Sequence, residues 1–120
     1  MPLGPFPRAL DMWGDGSLYL VDAPGHVPGH LNVMARTSSD GGWVYLGADS
    51  AHDWRLLTRE AGIGHHHIWG CVHEDRAGAE QNIERIAALV ATPRVRVILG
   101  HDKPFAKEGK GYWPDKIASL

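Results

Sequence analysis

Apolar residues fall into short alternating runs separated by glycine, proline and acidic turns. Ala9 to Trp13 reads as a short strand, Gly14-Asp15-Gly16 as a hairpin turn, and Ser17 to Val21 as the returning strand. A further run starts at Leu31, with Leu31, Val33 and Ala35 on one face and Asn32, Met34 and Arg36 on the other. Thr37 to Gly42 is a turn. Trp43 to Ala48 is the next strand, with Val44, Leu46 and Ala48 on one face. These two runs are expected to pair as an antiparallel hairpin. Ile83, Ile86, Ala87 and Val90 then recur at helical spacing, behind the acidic pair Glu74-Asp75 that suits a helix N-terminus. Pro93 stops that helix, and Val95, Val97 and Leu99 alternate with Arg94, Arg96 and Ile98 as a last strand. Residues 1–8 are proline-rich and read as extended. Residues 58–73 carry no regular pattern, because Gly62, Gly64 and Gly70 interrupt it. The tail from Phe105 is basic and aromatic at first, with a short helix expected from Pro114.

The stretch Asp22-Ala23-Pro24-Gly25-His26-Val27-Pro28-Gly29-His30 separates two apolar runs. Proline fixes φ and glycine reaches backbone angles that other residues avoid, so two Pro-Gly pairs force a tight, stiff loop. That loop presents His26 rigidly at a strand end, as a metal site requires.

Composition changes the picture in two places. With 120 residues, 43% apolar and 22% charged, the chain is one ordinary globular domain at most. A net charge of −2 gives no electrostatic footprint for nucleic acid or an anionic membrane, and no apolar run is long enough to span a bilayer. Nothing at the N-terminus reads as a signal peptide, and the single cysteine, Cys71, suits a reducing compartment; the expected location is cytoplasmic. Histidine stands out, with eight in the chain. Three are adjacent at His65, His66 and His67. Neighbouring loop residues converge poorly on one ion, so these read as a solvated loop.

Three other residues repeat one arrangement. His26, Asp49 and His101 each follow a predicted strand and each lies beside a small residue. Strand ends along one sheet edge are close in space, and two imidazoles with a carboxylate make a sensible zinc or iron set. Each also has a duller reading: a satisfied polar histidine, or, for Asp49, a cap on the run from Asp53 to Leu57.

The order Ala-Pro-Gly-His-Val-Pro-Gly-His, then Trp-Val-Tyr-Leu-Gly-Ala-Asp-Ser-Ala-His, then Ile-Leu-Gly-His-Asp resembles the C-terminal half of the metallo-β-lactamase fold. The nearest branch is that of the lactonase-like and glyoxalase II-like hydrolases, and the likeness runs from about Ala9 to Asp102. It implies an α/β (α+β) architecture: half of an αββα sandwich, with a mixed, largely antiparallel sheet and flanking helices. It implies that His26 is a ligand of a first metal, that Asp49 bridges two metals and that His101 is a ligand of the second. His30 matches a structural position. His52 lies three residues past Asp49, where some lactonase relatives carry a tyrosine that helps polarise the substrate carbonyl. It is the single weak candidate for a catalytic side chain, and the alternative is a helix residue with no chemical part.

The chain also departs from the family. The His-x-His-x-Asp-His motif of the N-terminal half is missing from this sequence. The resemblance therefore implies a single partial domain over residues 1–120, a C-terminal half with weak or no activity alone. It implies hydrolysis of a small ester, lactone or thioester by metal-activated water. One or two zinc ions are expected, with iron or manganese as alternatives, and at most a partial site here. Inner faces built from Leu31, Val33, Val44, Leu46, Val95 and Val97 are expected to be left open. Such faces predict a homodimer or a complementing N-terminal half. The competing expectations are a non-catalytic remnant or interaction module, and a protein that binds one ion through His26, Asp49 and His101.

Overall fold

A computed structural model describes residues 1–109; the helix expected from Pro114 lies outside the described residues. The elements are β1 (Ala9–Asp11), β2 (Leu18–Asp22), β3 (Leu31–Arg36), β4 (Trp43–Ala48), α1 (Trp54–Leu57), α2 (Arg76–Val90), β5 (Val95–Leu99) and α3 (Lys103–Lys107). They build one five-stranded sheet in sequential order. The first three pairings are antiparallel, including the expected hairpin of β3 and β4, and β5 joins β4 in parallel after the α2 crossover. That topology has one consequence for function. Strands β2, β4 and β5 run the same way, so the loops after them meet at one end of the sheet.

The phase of burial differs from the expected one. Register places Val21, Asn32, Met34, Tyr45 and Val97 on one face. That face is buried with Ala79, Ile83, Ile86 and Leu89 of α2 in one cluster. Leu20, Val33, Leu46 and Ile98 lie on the opposite face with Leu10 and Leu31, and there Leu10 is 59%, Leu31 49% and Leu46 43% exposed. The open face is thus real, but Val95 and Val97 are not part of it. They pair with Trp43 and Tyr45, on the covered side. Val44, which does lie on the open side, is buried between its partners Ala35 and Arg96. Alternation fixes which residues share a face within one strand. Only pairing fixes the phase between strands.

Helix α2 buries Ala79, Asn82, Ile83, Ile86 and Leu89, whereas Val90, expected in the buried stripe, is exposed in the last turn. Asp75 caps the helix, accepting from Gly78 N at 3.0 Å. The N-terminal segment is not simply extended. Leu3 and Phe6 exchange backbone hydrogen bonds across a tight turn, and the buried Phe6 ring stacks on Tyr45 with centroids 5.1 Å apart.

The buried asparagine of β3 explains why a polar residue faces the core. The Asn32 amide oxygen accepts from Tyr45 Oη at 2.8 Å and Ser50 Oγ at 2.9 Å, and its nitrogen donates to Gly47 O at 3.1 Å. Asn82 Nδ2 of α2 donates to Ser50 Oγ at 2.9 Å. Buried polar groups are tolerated when bonded in this way.

Candidate metal centre

The Pro-Gly loop is clasped to the start of α2. Gly25 O accepts from Asp75 N at 2.9 Å and His26 O accepts from Glu74 N at 3.0 Å. Gly25 adopts φ +135°, and a Cβ there would lie 2.4 Å from Ala79 N. Only glycine permits that approach. Across the loop, Ala23 N donates to His30 O at 3.0 Å, and His30 Nδ1 lies 3.1 Å from Ala23 O. His30 thus ties the loop's two ends together, the structural part implied for it, while His26 points inward.

Asp49 is set by an irregular strand end. The β4–β5 register shifts between Leu46 and Ala48, and Ala48 takes φ +43°. Bulges of this sort re-aim side chains at sheet ends. Gly100 lets the end of β5 close on this turn: its N–H donates to Ala48 O at 2.8 Å, and a Cβ would sit 3.1 Å from Asp49 Oδ1. Asp49 is not a helix cap. Asp53 caps α1, its carboxylate accepting from Arg55 N at 2.9 Å and held at about 2 by its hydrogen bonds to Arg55. On the far side, Asp102 accepts from Leu99 N at 3.0 Å and Phe105 N at 2.7 Å, which fixes the turn carrying His101.

The three sequence candidates do come together. Asp49 Oδ2 lies 3.7 Å from His26 Nε2, and Asp49 Oδ1 lies 3.2 Å from His101 Nε2. His52 Nε2 is 3.9 Å from Asp49 Oδ1. Two donors each about 2.0–2.1 Å from a tetrahedral ion sit about 3.3 Å apart, so these separations are close to those of a coordination shell. The donor set, neutral imidazoles around one carboxylate, also has the chemistry of a divalent transition-metal site. His65, His66 and His67 are exposed and lie outside this group.

One residue was not legible from sequence. His73, only 3% exposed, places Nδ1 at 3.3 Å from His26 Nδ1, while its buried Nε2 has no hydrogen-bond partner among the described residues. Its ring packs against both His26 and His52, with centroids 5.2 and 5.1 Å away. The position just before α2, which is clasped to the His26 loop, was the available signal, but the pairing lies 47 residues apart. Burial holds His52 and His73 below the ordinary histidine value, so both favour the neutral form that binds metal or accepts a hydrogen bond.

Ser50 ties this centre to the core. Replacing it with alanine leaves the buried Asn82 Nδ2 without its acceptor and removes one donor to Asn32. Ser50→Ala is expected to destabilise the fold by about 2–3 kcal/mol, one unsatisfied buried group plus a lost hydrogen bond. Urea unfolding checks this, and a change below about 0.5 kcal/mol would show that the network is dispensable.

Comparison with known proteins adds the following. No protein-family model matches the sequence. The chain is 52% identical over 50 residues to the metallo-hydrolase mfmC of Annulohypoxylon moriforme, covering 41% of this chain and 13% of that protein. It is 32% identical over 129 residues to the cytochrome P450 monooxygenase mpaDE' of Penicillium brevicompactum, covering 91% of this chain and 15% of that protein. A solved structure of an N-acyl homoserine lactone hydrolase, with N-hexanoyl-L-homoserine at its catalytic metal centre, superposes with a TM-score of 0.67 at 20% identity. That superposition covers 91% of this chain and 39% of the hydrolase. The chain therefore spans a minor part of each of these proteins.

Proposed function

This chain has the metallo-β-lactamase fold, and on that premise we propose that it serves metal-dependent hydrolysis of small ester, lactone or thioester substrates. His26, Asp49 and His101 are the proposed ligands. The observation that carries this is the convergence of loops after three co-directional strands, bringing two Nε2 atoms to 3.7 and 3.2 Å from one carboxylate. An ion held there by His26, Asp49 and His101 would supply Lewis acidity, lowering the pKa of a bound water towards 7 and polarising a substrate carbonyl. Zinc suits this nitrogen and oxygen set, and iron or manganese shares the preference.

We assign the chain the part of a C-terminal half. The further ligands of a two-metal centre then come from a complementing half that carries the His-x-His-x-Asp-His motif. The open apolar face, with Leu10, Leu31 and Leu46, is where that half packs; a second copy of the chain is the alternative cover. Among the described residues no helix is long and apolar enough to cross a membrane. A cytoplasmic setting, suited to the unpaired Cys71, belongs to the same proposal.

Metal content by mass spectrometry, on chain produced with zinc in the medium, tests the reading. The expected result is about one ion per chain, with little turnover of a lactone and thioester panel by the chain alone, since two-metal hydrolysis needs both ions. Metal at background level would overturn it.

A further inference from the structure

We propose that His52, with His26 and Asp49, closes a one-ion site that needs no ligand from outside this chain, and that His73 positions His26 within it. This rests on the metal-site reading above and changes its geometry. The family pattern gives the two histidines 26 and 101 to different ions, and nothing in that pattern makes position 52 a ligand.

The donor atoms of His26, Asp49 and His52 all lie within 4.8 Å of one another, a three-residue closure that, among the described residues, excludes His101. His101 approaches Asp49 closely, but its side chain is 63% exposed, against 27% for His52 and 19% for His26. His52 sits between its neighbours, with ring centroids 5.1 Å from His26 and 5.2 Å from His101. Its backbone is held from both sides. Ala51 before it is fully buried, and Asp53 after it caps α1. Two imidazoles and one carboxylate within that span make up the donor set of an open mononuclear centre, in which water would take the remaining positions.

The contact with His73 gives His26 a partner for its other nitrogen. A hydrogen bond between the two Nδ1 atoms, 3.3 Å apart, needs one proton, carried by either ring. For His26 Nε2 to offer a lone pair beside Asp49, the proton must stand on His26 Nδ1 and be donated to His73 Nδ1. His73 then carries its own proton on Nε2, the buried nitrogen that has no partner among the described residues. The fold tolerates that orphan donor in order to fix the tautomer of a ligand, a part more often taken by a carboxylate or a backbone carbonyl.

Cobalt(II) titration of the full chain, read by visible absorbance and by stoichiometry, decides the matter. Circular dichroism melts of the metal-free variants establish that each is folded. The wild type is expected to take one ion. His52→Gln is expected to weaken binding more than about 100-fold, and His73→Phe by about 10–100-fold, the range of orienting residues. His101→Gln is expected to cost less than His52→Gln. If His52→Gln binds like the wild type while His26→Gln and His101→Gln do not, His52 is no ligand and the inference fails, although the metal reading stands. If the wild type takes up no cobalt, both fall together.

Discussion

Asp49→Ala is expected to reduce bound metal to background and to remove any hydrolysis with it. Three imidazole nitrogens lie 3.2–3.9 Å from this one carboxylate, and no other group in the cluster can supply its charge. The metal-free fold should hardly notice. The side chain is 42% exposed, and the group caps no helix, so its ion pairs contribute about 0–1 kcal/mol. Stabilisation by ligand separates these effects. At a free zinc concentration 100 times the dissociation constant, the wild type gains about 2.7 kcal/mol, a rise in Tm of about 10 °C. The variant should start from nearly the same Tm and gain nothing. A zinc-dependent rise of equal size in Asp49→Ala would move the ion elsewhere and sink the proposed centre.

The largest structural effect is expected at Gly25. Alanine there meets Ala79 N at 2.4 Å and Ala79 Cα at 2.6 Å, both backbone atoms of a helix that cannot shift cheaply. Its φ of +135° is strained for any residue with a Cβ. Relief requires the loop to part from α2, breaking the hydrogen bonds from Asp75 N and Glu74 N. Backbone strain and two lost bonds together predict about 3–5 kcal/mol of destabilisation. Gly29 is the internal control. It has φ +75° but nothing within 4 Å of an added Cβ, so Gly29→Ala should cost only about 1–2 kcal/mol. Denaturant unfolding compares the two. Equal losses would mean that the clasp on α2 does not hold the loop. Because the same clasp aims His26, Gly25→Ala should also weaken zinc binding in whatever fraction remains folded, whereas Gly29→Ala should not.

The pairing of stability with ligand geometry has a common origin. The residues that orient the centre (Gly25, Ser50 and Gly100) are also those that let separate elements approach closely. Ser50 Oγ joins β3 and α2 through Asn32 and Asn82. Gly100 admits the carbonyl of Ala48 and the carboxylate of Asp49. A site assembled from loop ends depends on such contacts, because no single element carries more than part of it.

By itself the sequence determined the strands, the long helix and the three residues at strand ends. Period-two alternation and punctuation by Gly and Pro are local properties, written into neighbouring residues. The doubled Pro-Gly-His and the small residues beside Asp49 and His101 are local too, which is why the partial metallo-β-lactamase pattern was readable. Tertiary structure decided the rest. Whether Val97 faces the helix or the open side depends on its register with Tyr45, and no alternation within β5 contains that information. That Asp49 does not cap the following helix depended on Asp53 taking that place. His73 looked like one residue in an unpatterned loop. It became a partner of His26 only because a glycine without a Cβ let two segments 47 residues apart lie against each other. Local chemistry nominates the proposed ligands, and long-range packing alone sets the distances between them.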